Sequence, residues 1–289
     1  MEVLTIVLLS LLSVASSGGA IADAIAASRI RSQVISIEQH AVRIDNSPSY
    51  QIAQGKLQKL RIATRGVIIK PNLRIEALEL ETDRVDLNLD RLNLDNIDKL
   101  RESLDRPFQG AIRLVVTQTD LNRALQSPEV LAQIQEVLNS FVAGRSGSTN
   151  IAYQLRDLQL ELLPFDRLRM KLKLNRASSV FDSERDSQSQ KTLMMVLEFG
   201  LDVVNGKAIA IVEPQGTVNG RPMSSRLLNG FAVGIGDRLN LDFLLQDGIL
   251  ARILQLEIDE DELNLASFLK VETKTNRLSS KDVKVVPKL

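Results

Sequence analysis

Leu168, Met170, Leu172 and Leu174 alternate with Arg169, Lys171 and Lys173, and runs of this kind recur from Leu78 to Thr273. A period of two places successive side chains on opposite faces of a strand, one face apolar and one wet. A chain written this way folds mainly as antiparallel sheet and must find cover for each apolar face. Apolar residues make up 44% and charged residues 25%, enough for a substantial core and too apolar for bulk disorder. At 289 residues the chain has room for one large unit or two smaller ones.

The residue inventory excludes most catalytic chemistry. With no cysteine, disulfides, thiolate zinc sites and cysteine nucleophiles are absent. His40 is the sole histidine, which removes histidine triads and multi-histidine metal sites and leaves a solvated strand-edge residue. Gly144-Arg145-Ser146-Gly147 lacks the spacing of a nucleophile elbow. Gly230, Gly234 and Gly236 match no phosphate-binding loop. Asp86, Asn88 and Asp90 imitate the start of a calcium loop, but Arg91 and Ile97 stand where glycine and glutamate are needed. Glu79, Glu81, Asp86 and Asp90 fall on polar, outward strand faces. The expectation is a protein with no catalytic residue, no metal and no cofactor. The 36 basic and 36 acidic residues cancel, and no aromatic and basic stacking platform is present, so nucleic acid is not an expected partner. Aromatic residues are only 3%, so an aliphatic interior suits acyl chains better than sugars or planar rings.

The N-terminus bears on location. Val3 to Val14 is an apolar run followed by the small residues Ala15 to Ala20, which resembles an export signal. No basic residue precedes the run, Glu2 is acidic, and the first basic residues are Arg29 and Arg31. Residues 1–20 are therefore read as a signal or anchor-like segment and residues 21–289 as a single α+β domain. Cleavage delivers the body to the periplasm or cell envelope. Retention as an anchor leaves it facing the cytosol by positive-inside logic. Membrane association is expected either way.

Along the body, a helix of small residues is expected from Ile21 to Ile30, a strand over Val34 to Asp45 and another over Leu57 to Ile69. Leu73 to Leu94 alternates but slips phase twice, and a β-bulge at each slip would keep the apolar set on one face while bending the sheet. Phe108 to Thr117 is a strand running into a short helix capped by Thr119 or Asp120. Ser127 and Pro128 open a longer helix whose stripe includes Val130, Leu131, Ile134, Val137, Leu138, Phe141 and Val142. Loops are expected at Ala143 to Asn150 and Phe181 to Lys191. Strands cover Ile151 to Leu163, Leu168 to Leu174, Leu193 to Val203 and Ala208 to Val218, with a tight hairpin at Asn205-Gly206. Pro222 opens a helix carrying Met223, Leu227, Leu228, Phe231 and Ile235. A hairpin of Ala251 to Ile258 and Leu263 to Thr273 closes the chain. The fold class is α+β, a long, strongly curved antiparallel sheet wrapped around amphipathic helices.

The strand Leu78 to Leu89, the strand-to-helix passage Gly110 to Leu125, Ser127-Pro128-Glu129-Val130 and Leu239-Asn240-Leu241 together resemble the LmeA-like phospholipid-binding family. The most specific piece is Thr117 to Leu125, of the type T-x-x-D-L-N-x-A-L. The resemblance implies a fold similar to tubular lipid-binding domains, an elongated apolar groove and phospholipid binding at a membrane. It brings no catalytic motif. From the residues themselves, the groove-lining candidates are Phe141, Met170, Leu172, Met195, Leu197, Phe199 and Phe231, each equally able to serve as dry core. Arg167, Arg169, Lys171 and Lys173 form a basic ribbon, read either as cross-strand ion pairs or as contacts to membrane headgroups. The expected partners are a phospholipid or other acyl-chain lipid and a membrane surface, with the oligomeric state left open. The alternative is a lipid-free assembly factor docking on an envelope membrane protein.

Overall fold

A computed structural model of the chain describes residues 36–93, 96–143, 153–176 and 192–274. The N-terminal segment, the helix expected over Ile21 to Ile30, and most or all of the two polar loops lie outside the described residues. The strands divide into two antiparallel sheets and a small ribbon, not the single sheet expected from sequence. The six-stranded sheet has the order β1 (Ser36–Asp45), β3 (Lys59–Lys70), β4 (Leu73–Thr82), β6 (Phe108–Thr117), β13 (Glu262–Val271) and β12 (Ile249–Ile258). The five-stranded sheet runs β11 (Arg221–Pro222), β10 (Ala208–Val218), β9 (Thr192–Val204), β8 (Arg167–Arg176) and β7 (Tyr153–Leu163). The ribbon pairs β2 (Lys56–Leu57) with β5 (Val85–Asp86). Alternation alone cannot tell one sheet from two, because it reports the face of each residue and not the neighbour of each strand.

Four α-helices lie among the described residues: α1 (Ile97–Ser103), α2 (Gln118–Leu125), α3 (Pro128–Ala143) and α4 (Ser225–Gly236). The Ser127 hydroxyl accepts from the Val130 amide at 3.4 Å, as the sequence predicts for the start of α3. The α2 cap is Thr117, not Thr119 or Asp120, because β6 runs straight to the helix without an intervening loop. Pro222 sits in the two-residue edge strand β11, where its missing N–H breaks no ladder, and α4 starts three residues later. Asn205 and Gly206 adopt positive φ of 53° and 64°, the pair of left-handed residues a tight hairpin between β9 and β10 needs.

No bulge occurs at the expected Ala77–Leu78 slip, and the irregularity in the β3–β4 pairing lies instead at Ile68–Lys70, opposite Leu73 and Arg74. Ala77 to Thr82 pairs with Val115 to Gly110 of β6 in unbroken register. Both phases of β4 are buried instead: Ile75 and Ala77, then Leu78 and Leu80. The partner strand makes the same change, with Leu60, Ile62 and Thr64 buried before Gly66 and Val67 and Ile69 after it. Gly66 has φ of +60° and lies between the cross-strand pairs Arg65–Ala77 and Val67–Ile75. One left-handed residue re-aims β3 without adding a residue to the register. The second slip marks the end of β4 and the start of the ribbon strand β5.

Two apolar cores follow from this layout. The first packs the six-stranded sheet against α1, the ribbon and a 3-10 turn at Leu241–Asp247, through Leu60, Leu80, Leu100, Phe108, Leu244 and Ile249 among others. The second lies on the five-stranded sheet beneath α2, α3 and α4. Backbone bonds from Ile253 to Gly206 at 2.7 Å and from Leu241 to Lys207 at 2.7 Å tie the two regions together. The Asp166 carboxylate accepts from the Ile258 amide at 2.7 Å and adds a third tie.

Candidate functional site

The register of the five-stranded sheet sets its apolar side chains in rows. Leu158, Leu172 and Met195 lie side by side, then Leu160, Met170 and Leu197, then Leu162, Leu168 and Phe199. A bulge between Leu155 and Asp157 keeps Leu155 in phase with this face, since the tract from Leu155 to Leu158 carries one residue too many for strict alternation. Gly216 of β10 continues the middle row, and a Cβ there would stand 2.7 Å from Leu197 and 2.9 Å from the Met223 sulfur. The absent side chain makes room for Met223 against the sheet. Leu131 and Ile134 of α3 and Leu228, Phe231, Ala232 and Ile235 of α4 pack over the rows. Phe199 and Phe231 meet edge to face at 5.6 Å between ring centroids.

The structure thus brings together six of the seven lining candidates. Leu172, Leu197 and Phe199 are buried; Met170, Met195 and Phe231 are half-buried on the same core. Phe141 belongs to α3, and its side chain lies outside the described ones.

The two cores differ in how far they are closed. Among the described residues, the first holds 20 buried apolar residues with 7 partly buried around it, whereas the second holds 9 buried and 14 partly buried. A closed core shows the first ratio. Among the described residues the second face therefore carries more partly exposed apolar side chains than the first. Beside it is an open cavity of about 690 Å³ lined by Gln133 and Glu136 of α3 and by Asp237, Arg238, Asn240 and Phe243 after α4. That size is in the range of small-molecule sites. Its walls flank Ile134 and follow Ile235, both of which rest on the open core.

The basic ribbon lies on the opposite face of the same sheet. Arg167 pairs with Glu198 and Glu213, both at 3.3 Å, and Arg169 with Glu198 at 3.0 Å and Glu161 at 3.2 Å. Lys171 bonds Glu161, and Lys173 meets Asp157 at 3.2 Å. Each ribbon charge is matched by a carboxylate on a neighbouring strand. Lys171 first, and then Arg169, hold Glu161 below its ordinary pKa of 4.5 against the opposing effect of burial. A depressed carboxylate stabilises the fold above its unfolded value and loses that contribution as pH falls through the folded one. Urea midpoints are therefore expected to drop below about pH 4.5, and Glu161→Gln to flatten that drop.

Sequence reading missed what the Thr117 to Leu125 passage does. Asp120 is 3% exposed and accepts from the Thr117 hydroxyl at 2.9 Å, from Arg74 at 2.8 Å and from Arg123 at 2.9 Å. Arg74 also bonds Glu76 at 2.7 Å and Glu38 at 3.1 Å. These carboxylates, Glu76 foremost, hold its guanidinium well above its ordinary pKa. The other side of α2 secures β7, an edge strand. The Asn122 amide donates to the Leu160 carbonyl at 2.7 Å and accepts from its N–H at 2.8 Å, and Gln118 accepts from the Leu162 amide at 2.7 Å. Gln135 of α3 does the same for Tyr153 and Leu155, with both bonds at 2.7 Å. Three side-chain amides thus occupy an edge that would otherwise template aggregation. Asn122→Leu is expected to lose about 1–3 kcal/mol by leaving Leu160 unpartnered. Urea denaturation beside Asn122→Asp, which retains the acceptor, reads the effect. The signal in the sequence is an asparagine inside an amphipathic helix, where it is a poor helix former without a partner.

No cluster of metal-ligating side chains occurs among the described residues, and none of their helices is long and apolar enough to cross a membrane. Comparison with curated proteins and with solved structures returns no match. A family model described as LmeA-like phospholipid-binding matches residues 15–268, most of the chain, with the whole five-stranded sheet and all of the six-stranded sheet but the end of β13. The chain belongs to the LmeA-like phospholipid-binding family.

Proposed function

We propose that this protein binds one phospholipid by laying its acyl chains on the apolar face of the five-stranded sheet, between α3 and α4, and carries it without chemical change. The observation that bears most weight is the incomplete cover of the second core, with 14 partly buried apolar residues around 9 buried ones among the described residues. Each methylene removed from water there contributes about 0.8 kcal/mol, so one acyl chain supplies ample binding energy without a charged contact. Met170 and Met195 suit such a wall, because their flexible thioethers adapt to chains of different length and unsaturation.

In this reading residues 21–289 act as one unit at the membrane of the cell envelope, with the curled, tubular-type groove supplied by the five-stranded sheet and its helices. The apolar face, and not the basic ribbon, carries the lipid. The ribbon's charges already answer one another across β7, β8 and β9. Incubation of the purified protein with phosphatidylethanolamine and phosphatidylglycerol vesicles, followed by re-isolation and native mass spectrometry, tests the proposal. One added phospholipid mass per chain is expected. An unchanged mass, with no lipid extracted in organic solvent, overturns it.

A further inference from the structure

Resting on that reading, we infer that the cavity between α3 and the segment after α4 is a headgroup site built for a zwitterionic ammonium phosphate rather than for a purely anionic headgroup. Its charged lining is Glu136, Asp237 and Arg238. None of the three forms an ion pair with another described residue, in contrast to the four cations of the β8 ribbon, so all three are available to a ligand. Two carboxylates and one guanidinium leave the mouth one negative charge in excess. Nearby Asp242 does not change the balance, because Lys207 stands 3.7 Å from its carboxylate.

An anionic headgroup without a cation would find one attractive and two repulsive charges there. A headgroup carrying both a phosphate and an ammonium finds a partner for each: Arg238 for the phosphate oxygens, Glu136 and Asp237 for the ammonium. Gln133 and Asn240 add amide donors and acceptors to the same wall. Phe243 is 45% exposed at the rim and Val233 of α4 is 63% exposed, apolar surface where a lipid would leave the bilayer. The apolar face takes any acyl chain, so selectivity between phospholipids falls to these three charges.

The test offers the protein vesicles containing equal parts phosphatidylethanolamine and phosphatidylglycerol and measures the ratio of the two captured lipids by mass spectrometry. The wild type is expected to favour phosphatidylethanolamine by about fivefold, as suits charge contacts at a partly exposed mouth. Glu136→Gln with Asp237→Asn is expected to shift the ratio toward phosphatidylglycerol while total capture persists. Arg238→Gln is expected to lower capture of both. Capture of both lipids in equal amounts by the wild type, or a ratio unmoved in the double variant, overturns the headgroup site and leaves acyl binding standing. Capture of neither lipid overturns both readings.

Discussion

Arg74→Met is expected to lower stability by about 3–5 kcal/mol, because it takes a cation away from a buried carboxylate. The guanidinium lies among Asp120, Glu76 and Glu38, and Asp120 is almost wholly buried. Methionine keeps much of the side-chain bulk and removes the charge, leaving three carboxylates facing one another. The pH dependence separates charge from packing. In the wild type Arg74 is a base held above its ordinary pKa, so its contribution is complete below that value and fades only under strong alkali. In the variant Asp120 keeps only Arg123 and the Thr117 hydroxyl as partners and faces Glu76 and Glu38 without the intervening cation, a repulsion that protonation of the carboxylates relieves. The variant's deficit should therefore shrink as pH falls through the carboxylate range. Urea midpoints of both proteins at several pH values give the answer. A deficit of constant size would assign the loss to packing. Pairing Arg74→Met with Asp120→Asn should cost less than the sum of the two, because they share one network.

The other large effect concerns ligand binding. Met170→Glu combined with Met195→Glu is expected to reduce phospholipid capture by more than tenfold. Two carboxylates on adjacent strands of the apolar face would have to lose their water when an acyl chain arrives. Both methionines are half-buried, so the new side chains can reach solvent in the empty protein and the sheet should persist. Circular dichroism and the urea midpoint check the fold, and lipid capture checks the site. Retained capture in a folded double variant would move the acyl chain elsewhere.

The strands were legible residue by residue because alternation is a local property. The β9–β10 hairpin, the start of α3 and the final hairpin all follow from short-range chemistry: Asn-Gly, Ser-Pro and an acidic turn in which Asp259 accepts from the amides of Asp261 and Glu262. The grouping of strands into two sheets was not legible, since it depends on which edges meet across long stretches of chain. The phase slip at Ala77-Leu78 shows the same limit. A bulge in β4 and a left-handed Gly66 in β3 predict the same pattern of apolar residues in β4, and only the pairing Arg65–Ala77 distinguishes them.

At the site, the six lining candidates that fall among the described side chains share one face because the two-residue period of β8 and β9 places them there. The charged mouth was invisible to the same reasoning. Glu136 and Asp237 lie about a hundred residues apart, in elements whose packing no periodicity reports. Asp120 looked like a helix cap and is the buried centre of an ion network, because its partner Arg74 comes from a strand far earlier in the chain. Asp86, read as an outward carboxylate, is largely buried between Arg84 and Arg106.

The chain has no tryptophan, so a single introduced indole reports one location. Met170→Trp places it on the apolar face of the second core, and Tyr50→Trp places it at a site 64% exposed, in the 3-10 turn whose Ile52 packs on the first core. Each variant is mixed with vesicles of phosphatidylethanolamine brominated along the acyl chains, and emission is compared with unbrominated vesicles. Acyl chains lying between α3 and α4 predict strong quenching at position 170 and little at position 50. Equal quenching at both positions, or none at position 170, would contradict an acyl-binding face on the five-stranded sheet.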